Sequence, residues 1–146
     1  VTRETLDAFA HGAKLLAGQD KTTATVRADL ARRGHAPAEI DAALERLTAL
    51  GYLDDARWAA SRARRELEAG WGEAGVLARL VAAGLDERLA RQAVADAVGA
   101  LGWSARAAAE ALLRQRRLEG ARAARFLASR GFEPELVEQL LGEPGP

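Results

Sequence analysis

Three short stretches of this chain say nearly the same thing: VRADLARRG (Val26–Gly34), VLARLVAAG (Val76–Gly84) and ARAARFLASRG (Ala121–Gly131). Each places a leucine four residues ahead of a glycine, Leu30 before Gly34, Leu80 before Gly84 and Leu127 before Gly131, and each is followed by a short acidic turn and a second apolar helical pattern. The three glycines lie 50 and 47 residues apart. A recurrence at that period marks stacked copies of one small supersecondary unit, none of which buries enough surface to stand alone. It predicts an all-α fold, an elongated array of three tandem three-helix repeats over residues 1–53, 54–102 and 103–146, suited to lying along another molecule.

Glycines also punctuate the chain. Gly34, Gly51, Gly70, Gly84, Gly102 and Gly131 each follow a helical pattern, where a left-handed residue closes a helix. Between them the sequence reads as nine helices: Arg3–Ala17 with Leu6, Ala10 and Ala13 inward; Ala24–Arg33, opened by Thr22 or Thr23; Pro37–Leu50 with Ile40, Leu44 and Leu47 inward; Asp55–Ala69, capped by Asp54; Glu73–Ala83; Glu87–Leu101, capped by Asp86 and burying Leu89, Ala93, Ala97 and Leu101; Ala105–Arg117, capped by Ser104; a helix ending at Arg130; and Pro134–Leu141, burying Leu136 and Leu140. Where the second helix presents Arg27 and Ala31 beside its core stripe, the fifth presents Leu77 and Val81. That difference predicts a central repeat covered on two sides.

Charge narrows the partners. The 21 Lys and Arg balance 21 Asp and Glu, whereas a protein whose sole partner is DNA usually carries an excess of positive charge to neutralise phosphates. All basic residues but Lys14 and Lys21 are arginine, which favours planar bidentate contacts to carboxylate or phosphate. The chain has no cysteine, which excludes disulfides, thiolate nucleophiles and thiolate metal sites. With Glu4 and Asp7 in place of a basic leader, and no apolar run long enough to span a bilayer, the expectation is a soluble cytoplasmic protein with no membrane association.

No constellation asks for catalysis or a cofactor. In Gly51-Tyr52-Leu53-Asp54-Asp55-Ala56-Arg57-Trp58 the paired carboxylates read as helix-capping and dipole partners rather than a metal or acid–base site, since no third ligand or base follows. His11 and His35 read as isolated, and Gly70-Trp71-Gly72 lacks the lysine and preceding strand of a phosphate loop. On the fourth helix Ala56, Ala59, Ala60, Ala63 and Leu67 form one stripe, with Trp58 nearly opposite. Trp58 is expected to pack on the first repeat, leaving Arg62, Arg64 and Arg65 exposed. Trp103–Gly131 carries seven Arg against two Glu, while Phe132–Pro146 carries four Glu and no base. Arg114, Arg116, Arg117, Arg122 and Arg125 are therefore either solvated helix faces or a surface for an anionic partner.

The segment Ile40–Ala59, IDAALERLTALGYLDDARWA, resembles the first-repeat boundary of RecX, the regulator of the RecA recombinase, in its acidic helix followed by Gly-Tyr-Leu-Asp-Asp, a basic residue and an aromatic. Arg125-Phe126-Leu127-Ala128-Ser129-Arg130-Gly131-Phe132 is similar to that family's last-repeat motif, and Trp103-Ser104-Ala105-Arg106-Ala107 to the start of its third repeat. The resemblance implies tandem three-helix repeats and binding to RecA nucleoprotein filaments. The protein would lie in the filament groove, where it suppresses ATP hydrolysis and strand exchange. Single- or double-stranded DNA would be a secondary contact, with no catalytic residues and no cofactor, in a monomer. Partner contact is expected from the arginines at 62, 64, 65, 114, 116, 117, 122 and 125. Two other readings stand beside it: a helical module acting on DNA directly, and a HEAT-like interaction scaffold. Two departures from the family pattern matter. The fifth helix is poor in basic residues, with Arg79 alone, and the link between the seventh and eighth helices is short, Leu118 to Gly120.

Overall fold

The computed structural model describes residues 6–142, and these form nine α-helices with no strand among them. They are α1 (Ala8–Gly18), α2 (Thr23–Arg32), α3 (Pro37–Ala49), α4 (Asp55–Glu68), α5 (Glu73–Ala82), α6 (Glu87–Leu101), α7 (Ala105–Arg116), α8 (Gly120–Ser129) and α9 (Pro134–Leu141). All six punctuating glycines take positive φ, from 59° at Gly102 to 102° at Gly70. Five of these turns share one hydrogen-bond pattern, in which the residue after the left-handed position donates to the carbonyl five residues back. His35 donates to Leu30, Tyr52 to Leu47, Trp71 to Glu66, Trp103 to Val98 and Phe132 to Leu127, at 2.9–3.2 Å. These are Schellman closures, which satisfy helix carbonyls that would otherwise lack donors.

The described chain divides into two compact units. One comprises the residues up to Trp58 together with Ala83–Leu85, and the other Ala59–Ala82 together with the residues from Asp86 onward. In the first unit α1, α2 and α3 pack on one another around Val26, Leu30, Ile40, Ala43, Leu44, Leu47 and Leu53. Gly12 allows α1 to approach closely, since a Cβ there would stand 2.6 Å from Leu47 Cδ1. In the second unit α5 packs on α6, and α7 and α8 pack on α9 around Ala109, Leu112, Leu127 and Phe132. The three repeat leucines, Leu30, Leu80 and Leu127, have no exposed surface.

Several expectations shift. The part of the first expected helix before residue 6 lies outside the described residues; Leu6 is non-helical, because the Asp7 carboxylate caps the Ala10 N–H at 2.7 Å and α1 starts at Ala8. Ala8 and Gly12 make its buried face. On α6 the buried residues are Ala90, Ala93, Val94 and Ala97, while Leu89 is half-buried and Leu101 exposed. Leu136 and Leu140 reach the core only partly buried. Of the extra apolar residues of α5, Leu77 is half-buried and Val81 is 42% exposed.

Several residues of the Gly51–Trp58 motif hold the fold locally. Gly51 turns the chain and Leu53 is buried in the core of the first unit. Asp54 accepts from the Arg57 N–H at 2.9 Å and caps α4. Asp55 does more than face its own helix dipole. Its Oδ1 accepts from the Thr23 N–H at 2.8 Å and the Thr23 hydroxyl at 3.1 Å, pinning the N-terminus of α2. Arg57 reaches the Gly51 carbonyl and Asp20. Tyr52 is exposed and Trp58 half-buried.

Candidate partner-binding surface

The second unit sets three of its arginines against two aromatic rings. Trp71 follows Gly70 in the α4–α5 turn, and the Arg79 guanidinium lies over its ring at 4.3 Å from the centroid. Arg130, the C-cap of α8, stands 4.5 Å from the Trp71 centroid and 5.1 Å from that of Phe126. Arg116, the last residue of α7, covers Phe126 at 4.8 Å. The order Arg79, Trp71, Arg130, Phe126, Arg116 is a ladder of alternating guanidinium and ring. Each such contact contributes roughly 0.5–1 kcal/mol at a partly exposed site. A guanidinium laid flat on a ring keeps its N–H edge free for carboxylate or phosphate.

Glycine makes the ladder possible. Gly72 N–H donates to the Arg130 carbonyl at 2.8 Å. A Cβ on Gly72 would stand 2.6 Å from the Gly131 carbonyl oxygen, and one on Gly75 would strike the Arg130 carbonyl. Three residues without side chains thus let the start of α5 touch the α8–α9 turn, which brings Trp71 beside Arg130. At the Arg79 end the buried Glu66 carboxylate takes Arg79 Nε at 3.1 Å and Arg62 Nη1 at 3.5 Å.

The eight arginines expected to meet a partner therefore divide. Arg62 is not fully exposed, because its guanidinium is turned toward Glu66. Arg64 and Arg65 are exposed on α4. Arg114, Arg116, Arg117, Arg122 and Arg125 are all exposed around the α7–α8 turn. Of the last-repeat motif, Leu127 and Phe132 are core, Phe126 and Arg130 belong to the ladder, and Gly131 is the close-contact turn. The sequence pattern does not single out Trp71, Arg79 and Glu66. Gly75 inside a helix, where glycine is costly, is the available sign of a close approach.

Arg117 is the one non-glycine residue with positive φ among those described, at φ 52°. It occupies the position that glycine holds in the other Schellman turns, with Leu118 N–H on the Leu113 carbonyl at 3.2 Å. Holding a side chain there costs about 1–2 kcal/mol. Arg117→Gly is expected to raise stability by roughly 0.5–1 kcal/mol after the entropy of the freer unfolded chain is subtracted. Urea unfolding checks this, and a loss of stability would show that the Arg117 side chain holds the turn.

The two histidines are not isolated. His11 Nδ1 and His35 Nε2 are 2.5 Å apart, the rings meeting edge to face with centroids 4.8 Å apart. Partial burial, then His35, Arg33 and Lys14, draw the His11 pKa below its ordinary value, while Asp7 opposes them. No group of three or more His, Asp or Glu suited to a metal ion occurs among the described residues, and no described helix is long and apolar enough to cross a membrane.

Residues 8–47 match the model of the first three-helix domain of RecX. The regulatory protein RecX of Chromohalobacter salexigens is 37% identical over 134 residues, spanning 88% of this chain and 86% of its own. The chain belongs to the RecX family. A second RecX relative, from Thermus thermophilus, is 38% identical over 131 residues, covering 86% of this chain and 84% of its own. The crystal structure of RecX from Lactobacillus salivarius shares the fold, with a TM-score of 0.70 over 91% of both chains at 18% identity. The nine-helix order of this chain is thus a RecX fold, and its relatives carry the name of regulatory proteins.

Proposed function

We propose that this RecX-family chain binds RecA nucleoprotein filaments and restrains their ATP hydrolysis and strand exchange, as a monomer and without a cofactor. The nine helices act as three tandem repeats, residues 1–53, 54–102 and 103–146, that span neighbouring filament subunits in the groove. The observation that carries this reading is the exposed arginine bank of the α7–α8 turn, braced by the guanidinium–ring ladder in a chain of zero net charge. A local bank on a neutral molecule suits a protein lattice presenting spaced carboxylates, with DNA as a secondary contact. Contacts to successive subunits act at high effective concentration, so free RecA binds more weakly than the filament.

Co-sedimentation with RecA filaments, run beside DNA alone, tests this together with the DNA-dependent ATPase of RecA. The expected result is retention on filaments and a fall in ATPase at salt where naked DNA no longer holds the protein. Equal, steeply salt-dependent retention on DNA alone with an unchanged ATPase would replace this reading with that of a helical DNA-binding module.

A further inference from the structure

We infer that His11 and His35 form a proton-operated clasp: sharing one proton they hold α1 against the α2–α3 turn, and a second proton drives them apart and loosens α1 from the first unit. At 2.5 Å between Nδ1 and Nε2, one nitrogen must donate and the other must accept. A neutral imidazole has one N–H and one lone pair, so a neutral or singly protonated pair satisfies this contact. Two imidazolium ions cannot, because both facing nitrogens then carry hydrogen, and the charges repel.

The anchors of the clasp lie on different elements. His11 sits in the second turn of α1, whereas the His35 backbone is fixed by its N–H bond to the Leu30 carbonyl at 3.2 Å, directly after the α2 turn at Gly34. The surroundings sharpen the response. Lys14 on α1 and Arg33 at the end of α2 add positive charge, and Asp7 alone opposes them at the head of α1. From α3, Glu39 and Arg46 line the same depression as Asp7 and His35, with Arg46 laid over Phe9 at 4.0 Å. The Asp7 carboxylate is already occupied by the Ala10 N–H. Apart from the clasp, α1 is held by buried Ala8 and Gly12 and by Phe9, Ala13, Leu15 and Leu16, which pack partly buried against the core of the first unit.

The direction follows from linkage. A His11 held below its ordinary value of about 6.5 means that the unfolded or undocked chain binds more protons. The docking of α1 is therefore complete above that value and is lost as pH falls through it toward the folded-state value. The clasp lies within the first unit and does not rest on the function proposed above.

The chain holds two histidines, so NMR resolves both imidazoles without ambiguity. In the full chain, His11 is expected to titrate below its ordinary value and to move up toward it in His35→Gln. Hydrogen exchange of α1 amides, corrected for the intrinsic pH dependence, is expected to accelerate on the order of tenfold between pH 7.5 and 5 while α2 and α3 stay protected. The α1 response is expected to vanish in His35→Gln and in His11→Gln, either of which serves if the other fails to fold. Unchanged α1 protection across that range overturns the clasp, because the rings then simply rotate apart. So does an equal loosening of α1 in the variants.

Discussion

Gly131→Ala is expected to destabilise the second unit by about 3 kcal/mol, a large share of the roughly 5–15 kcal/mol that holds a domain of this size together. Two costs add. Gly131 has φ 88°, a left-handed conformation that costs a residue with a Cβ about 1–2 kcal/mol. The new methyl would also fall on the Gly75 backbone and stand 3.0 Å from the Ala74 carbonyl carbon. Backbone cannot yield as a flexible side chain does, so overpacking adds about 1–3 kcal/mol. Gly34 supplies the control, for it ends the matching helix of the first repeat at φ 89°, and a methyl added there would meet nothing within 4 Å. Gly34→Ala is therefore expected to cost only the conformational part, about 1 kcal/mol. Urea unfolding followed by fluorescence reads both units, the first through Trp58 and the second through Trp71 and Trp103. Equal losses in the two variants would mean that the Gly72–Gly75–Gly131 contact gives way without cost. If the close contact holds, Gly131→Ala must also part Trp71 from Arg130 and disturb the ladder.

What the sequence discloses and what it withholds divide along one physical line. Leu30, Leu80 and Leu127, the six left-handed glycines and the caps Asp54, Asp86 and Ser104 are legible because each is fixed by neighbours within one helix turn. The α6 stripe is misplaced by stepping four residues at a time. Each such step overshoots a 3.6-residue turn by about 40°, so Leu101 is rotated roughly 120° from Leu89. The true stripe alternates steps of three and one, Ala90, Ala93, Val94 and Ala97. The end of α7 carries no glycine to announce it, since Arg117 takes the left-handed position itself. The exposed arginines can be counted along the chain. The ladder cannot, because Trp71 and Arg130 meet only through a backbone contact between distant turns, and the His11–His35 pair is likewise made by tertiary packing across 24 residues.

The triple variant Arg114→Glu, Arg122→Glu, Arg125→Glu is expected to lose filament binding on the order of 100-fold while keeping its fold. All three side chains are exposed, and none belongs to the ladder or to the Glu66 pair. Their helix positions make the stability side lopsided. Arg114 lies in the last turn of α7, where a cation suits the dipole, so reversal there costs a few tenths of a kcal/mol. Arg122 lies in the first turn of α8, which has no acidic residue and no side-chain cap. A cation opposes the dipole at that end, and glutamate there returns a similar amount. Against an anionic surface each lost contact is worth up to roughly 1 kcal/mol, so three lost contacts with added repulsion reach about 3 kcal/mol, or some 100-fold. The expected readout is an unchanged melting temperature, weak co-sedimentation and RecA ATPase restored to its uninhibited rate, with the wild-type difference shrinking as salt rises. A well-folded triple variant that still inhibits RecA fully would move the binding surface away from the α7–α8 turn and leave Arg64 and Arg65 on α4 as the remaining exposed candidates.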